Sequence, residues 1–200
     1  MRTPEELSPL TAGHRAPAED RAAVERRAGA GAAAYGELCP EAVASALGWL
    51  RLTSEDELVD LGSGVGKLVT QAAQESAVGL ARGVELSRFR HRLARERWAR
   101  ILRAAPPGAA RALRRRVRLE WGDLREADLS RATVLYVGST CFPEALLDAV
   151  AELACGAPRL RVLLSTRALA PRWGARLPEQ ARLRVRTTWD PNAWLYAYAR

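Results

Sequence analysis

Seven consecutive residues, Asp60-Leu61-Gly62-Ser63-Gly64-Val65-Gly66, narrow the folds open to this chain more than any other stretch. They follow a β-type run, Glu57-Leu58-Val59, and lead into a segment, about 66–77, with apolar residues at helical spacing. Glycine at 62, 64 and 66 lets the backbone turn sharply and lets a ligand approach without meeting a Cβ. A strand that ends in such a turn and passes into a helix begins a βαβ unit. In open parallel sheets, ligands bind at that end of the strand.

The rest of the chain repeats the alternation. Pro40 suits the first turn of a helix carrying Val43, Ala46, Leu47 and Leu50 on one face. Strand-like runs follow at 81–86, 117–123, 133–139 and 159–166. Between them lie a long helix over about 87–104, turning Leu93, Ala94, Trp98 and Ile101 inward, and a helix from about Pro143 with Leu146, Leu147, Val150 and Leu153 on one side. The run 105–109, Ala-Pro-Pro-Gly-Ala, breaks the long helix. Two last runs, 182–189 and 193–200, flank Asp190-Pro191-Asn192 and predict a hairpin. The pattern is α/β: a Rossmann-like, mostly parallel sheet of seven strands, closed by an antiparallel hairpin, with helices on both faces, as in class I methyltransferases. Residues 1–33, rich in Ala, Arg and Gly without lasting periodicity, read as a mobile N-terminal arm, helical in part. Residues 34–200 read as one domain.

Composition excludes several classes. With 48% hydrophobic and 27% charged residues over 200 positions, the chain is of soluble globular type. It has neither a membrane-length apolar run nor an export-type N-terminus, so it is expected to be neither secreted nor membrane-bound. Cys39, Cys141 and Cys155 are odd in number and widely spaced, which argues against a disulfide framework or a zinc site. Lys67 is the only lysine among 31 basic residues, and Ile and Asn each occur once, so a GC-rich genome accounts for part of the arginine content. It does not account for where the arginine lies. Residues 81–118 hold 13 Arg against Glu85 and Glu96, a balance of +11 in a chain whose total is +8. That segment, in particular Arg88 to Arg118, is a candidate contact for nucleic acid or an acidic protein, a solvated face being the plainer reading.

A glycine-rich turn alone fits a nicotinamide cofactor or no ligand at all. Here an Asp precedes the glycines and no phosphate-clamping side chain follows, which suits the cationic ammonium and sulfonium of S-adenosylmethionine. Glu85, 19 residues after Gly66 at the end of the second strand, is placed to accept ribose hydroxyls. Asp123, after the third strand, is placed to accept an adenine amine, with Leu124 covering the ring.

Tyr35-Gly36-Glu37, the string Val59 to Gly66, Gly83-Val84-Glu85 and Gly122-Asp123 resemble, in order and spacing, the cofactor site of DOT1 histone H3 lysine-79 methyltransferases. The resemblance implies an S-adenosylmethionine-dependent protein lysine methyltransferase. It implies a loop, Tyr35, Gly36, Glu37 and Leu38, over the methionine end of the cofactor, and a glycine loop of Asp60, Gly62, Ser63, Gly64, Val65, Gly66 and Lys67. It also implies a lysine channel lined by Trp189 and Tyr196, which keep the family's seven-residue spacing. An aromatic channel desolvates and aims a neutral amine and favours its cationic product. One departure stands out. The family's Asn-Asn-Phe-x-Phe segment is here Gly138-Ser139-Thr140-Cys141-Phe142, so Ser139, Thr140 and Phe142 are left to face the acceptor, the alternatives being a non-histone protein or small-molecule acceptor, or a catalytically weak cofactor-binding interaction module. A histone or nucleosome as partner, and a nuclear location in a eukaryote or a cytoplasmic one otherwise, follow from the same resemblance.

Overall fold

The structure is a computed structural model and describes residues 15–200. Seven strands form one sheet: β1 (Glu57–Leu61), β2 (Leu80–Glu85), β3 (Val117–Trp121), β4 (Val134–Val137), β5 (Val162–Ser165), β6 (Glu179–Val185) and β7 (Ala193–Ala199). Their order is β3-β2-β1-β4-β5-β7-β6. The first five are parallel; β7 is antiparallel to both β5 and β6. The strand order reverses at β1, between β2 and β4, so a crevice opens above the carboxyl end of β1.

Among the described residues six helices cover the sheet: α1 (Ala18–Ala28), α2 (Pro40–Leu50), α3 (Lys67–Glu75), α4 (Arg88–Ala104), α5 (Pro107–Arg116) and α6 (Glu144–Gly156). Because alternate residues of a strand face opposite ways, the central strands feed two cores. Val59, Leu61, Leu135 and Leu163 pack with Leu146 and Val150 of α6. Leu58, Val134 and Leu164 pack with Val43 and Leu47 of α2 and Val69 of α3 on the other face. The two-sided apolar runs expected of a buried parallel sheet are thus used on both sides.

Three elements differ from the sequence reading. Residues 15–33, read as part of a mobile arm, include α1, whose Val24 is buried in the core with Ala32 and Ala33; residues 1–14 lie outside the described part. The run 105–109 does break α4, but Pro107 also starts α5, because proline's fixed φ and missing N–H suit a helix's first turn. Strand β6 begins at Glu179 rather than 182 and carries an irregularity between Glu179 and Ala181, as a polar edge strand allows. Among the described residues no helix is long and apolar enough to cross a membrane, and no cluster of His, Cys, Asp and Glu could hold a metal.

Candidate cofactor and acceptor site

The crevice above β1 is a cleft open to solvent, with about 920 Å3 of space between its atoms when the open mouth is included. Its floor is the glycine loop, which carries φ of +90° at Gly62, +55° at Gly64 and +71° at Gly66. Those glycines also admit two aromatic rings. A Cβ on Gly64 would lie 2.3 Å from Cε2 of Tyr35, and one on Gly62 would lie 3.2 Å from Cζ of Phe142. Tyr35 therefore lies across the loop, its hydroxyl donating to Glu37 and accepting from Val65 N–H at 3.4 Å, with the Arg90 guanidinium 4.7 Å from its ring centre. Gly64, Val65 and Gly66 sit behind it and do not line the cleft; Gly62 and Ser63 do.

The segment carrying Tyr35 is fixed from the far end of the sheet. Leu38 pairs with Thr187 as an isolated antiparallel bridge, Thr188 N–H donates to Glu37 O at 2.9 Å, and Glu37 N–H donates to Thr188 Oγ1 at 3.1 Å. The connection between β6 and β7 thus holds the Tyr35–Leu38 loop over the cleft. Trp189, expected to line the channel, follows directly; it is half-buried and does not line the cleft.

Three carboxylates converge on the cleft. Asp60, at the end of β1, is buried with Oδ1 unpartnered among the described residues. Burial pushes its carboxyl well above the usual range, and the nearby Glu85 and Glu37 add to the rise. Glu85 accepts Gly64 N–H and Ser87 N–H, both at 2.7 Å, so it braces the glycine loop. A carboxylate has about four lone-pair sites, which leaves capacity for a ligand's hydroxyls. Burial raises its carboxyl too, against the opposing pull of Arg90 and the two N–H groups. Glu37 lines the cleft in an ion pair with Lys67, at the start of α3. A buried, unpartnered carboxylate beside two others is costly unless a cation joins it. The ammonium and sulfonium of S-adenosylmethionine supply that charge, so the donor set fits this cofactor.

Where the adenosine was expected, Leu124 lines the cleft, but the Asp123 carboxylate is already engaged. It accepts from Arg125 N–H (3.0 Å), Arg125 Nε (2.9 Å) and Arg27 Nε of α1 (2.7 Å). Burial disfavours its ionised form, yet these hydrogen bonds outweigh burial and hold the carboxyl far below the usual range. An adenine amine would share this carboxylate with two guanidinium groups. Helix α1 closes that end, with Val24, Ala28 and the following Ala32 in the lining; none was singled out in the sequence.

On the acceptor side the structure brings together fewer of the expected residues. Phe142 lines the cleft. Ser139 is fully enclosed: its N–H donates to Thr166 Oγ1 at 2.9 Å and its hydroxyl meets Ser165 Oγ at 2.8 Å. The Thr140 hydroxyl lies 3.1 Å from Thr166 Oγ1. Strands β4 and β5 are neighbours, so the hydroxyls beyond their ends tie the two strands together and do not face an acceptor. Tyr196 on β7 does not line the cleft; it packs on the same core as Phe142, its ring 6.5 Å from Tyr198 and beneath Arg182. The acceptor-side aromatic that the sequence reading missed is Tyr136 on β4. It lines the cleft, and burial raises its phenol well above its usual range, with Asp60 and Glu37 adding to the rise. Its position at the end of a central strand was the available signal.

A family profile described as histone methylation protein DOT1 matches residues 22–174. The chain belongs to the DOT1 family. The match begins within α1, which agrees with that helix being part of the DOT1 domain here. No curated protein matches the chain. Among solved structures, the fold is similar to an RNA methyltransferase from Salinibacter ruber in complex with S-adenosyl-L-homocysteine (20% identity, TM-score 0.57, 80% of this chain and 92% of that one). It is also similar to the methyltransferase domain of a bacterial CtHen1 (13%, 0.60, 80% and 97%). A third neighbour is the mitomycin 7-O-methyltransferase MmcR (13%, 0.57, 80% and 53%). At these identities the likeness is one of fold; the DOT1 family match, over that fold, makes this chain an S-adenosylmethionine-dependent methyltransferase. S-adenosylmethionine is the cofactor for which its cleft is built.

Proposed function

We propose that this methyltransferase transfers the methyl group to a protein lysine, with a histone as substrate. The observation that carries the reading is the DOT1 profile match over a cleft that unites the Tyr35–Leu38 loop, Asp60 and Glu85. When bound, S-adenosylmethionine supplies a methyl group on a sulfonium, open to in-line attack. The residues of this chain do the rest. Asp60 and Glu37 would hold the cationic methionine end, and Glu85 the ribose. Leu124 would cover the adenine ring. Phe142 and Tyr136 wall the acceptor side and exclude water, so that an incoming amine sheds its hydration as it aligns. The carboxylates nearby favour a methylated ammonium product. A histone substrate would place the protein with chromatin.

The Ser139 hydroxyl, enclosed, and the Thr140 hydroxyl, half-buried, are both hydrogen-bonded within the protein, which favours a second reading, the same chemistry on a different acceptor. Labelled cofactor incubated with free histones, nucleosomes, RNA and whole lysate decides between them. Label on a histone lysine supports the proposal. Label on RNA or on a small molecule, with histones blank, overturns it.

A further inference from the structure

The structure corrects the arithmetic of the arginine-rich segment. Arg82 is buried beside Glu57 with a bond to Asp128 O, Arg90 is buried against Ala33 O, and Arg116 donates to Val78 O at 2.8 Å and to Ser76 O at 2.5 Å. These three serve the fold. Nine others are exposed, at 88, 92, 95, 100 and 103 on α4, at 111, 114 and 115 on α5, and at 118 on β3. Strand β3 is the sheet's edge, and α4 and α5 form the crossover that leads to it, so the nine share one end of the molecule.

Two observations separate this end from arginine spread by codon bias. Codon bias raises arginine everywhere, but outside this segment seven of the sixteen described arginines, among them Arg27, Arg125, Arg131 and Arg161, lie within 4 Å of a carboxylate. Of the nine at the β3 end, Arg92 alone meets a carboxylate among the described residues, its Nε 3.8 Å from Glu96. The second observation is shape. The five arginines of α4 fall within one side of the helix and run about 22 Å along its axis. The surface is helix and edge strand, and none of the nine lines a pocket. A cationic stripe of that length, with one ion pair along it, matches the regular phosphate spacing of a duplex, roughly six to seven steps at about 3.4 Å per strand.

We propose that the β3 edge, with α4 and α5, docks the phosphate backbone of double-stranded DNA without reading its sequence. The inference rests on the chromatin reading above for the choice of DNA as the anion. It adds the surface that meets the anion and the arginines that make the contact. A single-stranded ligand is less well matched, because Trp121, 50% exposed under Arg88 at 4.2 Å, is the one exposed aromatic on this face among the described residues, and base stacking calls for several.

Anisotropy titrations of a duplex of roughly 25 base pairs at several NaCl concentrations test it. About five neutralised phosphates give a log-log slope near −4.5, roughly a 500-fold loss of affinity between 50 and 200 mM. Replacing Arg95, Arg100 and Arg103 together by Gln makes the slope shallower by about 2 to 3, while the same three changed to Lys keep it. Changing Arg159, Arg176 and Arg186, exposed at other places, to Gln removes the same charge and leaves the slope alone. All variants keep calorimetric affinity for S-adenosylmethionine. Equal slopes in the two Gln triples, tighter binding of single strands, or no binding at 50 mM overturns the proposal. Methylation of free histones is scored separately. DNA binding without it sinks the substrate reading alone, and methylation without DNA binding sinks this surface alone.

Discussion

At the scale of single residues, the glycine loop shows why its pattern was legible and its partners were not. Glycines 62, 64 and 66 announce positive φ, but only the structure shows that Tyr35 takes the space above Gly64. Gly64→Ala is therefore expected to cost about 1–3 kcal/mol for the backbone alone, and to displace the Tyr35 ring as well. In a Tyr35→Ala background only the backbone part should remain, so a double-mutant cycle measured by denaturant unfolding isolates the contact. Additive effects would mean that the ring and the glycine are independent. Asp60 gives a pH prediction. Its folded carboxyl is raised above the ordinary value of 3.8, so ionised Asp60 costs stability, a cost that sets in as pH climbs past that value. A cationic ligand favours the ionised form. Cofactor binding should release a proton from Asp60 and strengthen with rising pH from the ordinary carboxyl range upward, until that group is ionised or the ligand's amine, near about 7.7, begins to lose its charge. Calorimetry in two buffers of different ionisation enthalpy reads the proton; Asp60→Asn should bind more weakly and release none. An unchanged proton count in that variant would place the titration elsewhere.

Among the elements, those with large apolar residues at regular spacing were readable, and those held by charge were not. Helix α2, with Val43, Ala46, Leu47 and Leu50, and helix α6, with Leu146, Leu147 and Val150, are found where periodicity put them. Helix α1 buries one large apolar side chain, Val24, so it shows no apolar stripe. Its signals were weaker ones: good helix formers, Glu19 and Asp20 in the first turn, and Arg26 and Arg27 in the last, matched to the helix dipole. What holds it is tertiary and invisible in one dimension. The Asp20 carboxylate takes the Ser87 hydroxyl at the start of α4, and Arg27 reaches Asp123, 96 residues away. The same pairing explains why Asp123 could be placed from its motif while its occupancy by guanidinium groups could not. Since the Asp123 carboxyl is depressed in the folded state, its pairing with Arg27 and Arg125 stabilises above the ordinary carboxyl value and is lost as pH falls through the depressed one. Arg27→Ala is expected to raise amide exchange across 18–28 at neutral pH and to speed cofactor dissociation, leaving exchange in β1 and β4 unchanged. Val24→Asp should do so more strongly, since it also removes the roughly 1.5–3 kcal/mol that burying such a side chain contributes. Exchange that rises uniformly through the sheet would show that α1 is part of one cooperative unit.

For the molecule as a whole, charge is distributed against folding at one end and in its favour elsewhere, and salt should reveal which dominates. Exposed ion pairs such as Arg182 with Glu179 and Arg172 with Asp148 lose strength as salt is added, but such pairs contribute little to begin with. The nine exposed arginines at the β3 end repel one another over distances that a Debye length of about 30 Å at 0.01 M spans and one of about 8 Å at 0.15 M largely does not. Their neighbours on α4 are about 5–6 Å apart, so screening weakens these repulsions without removing them. With a net charge of +8 and the excess in one segment, relief of repulsion should exceed the loss of pairing. Raising NaCl from 0.01 to 0.15 M is expected to lift the melting temperature of the cofactor-free protein by roughly 2–4 °C, a shift that corresponds to about 1 kcal/mol in a chain of this size. Changing Arg95, Arg100 and Arg103 to Gln should raise the melting temperature at low salt and flatten its salt dependence. A parent protein that melts lower as salt is added would mean that the paired arginines, and not the unpaired ones, set the electrostatic balance of the fold.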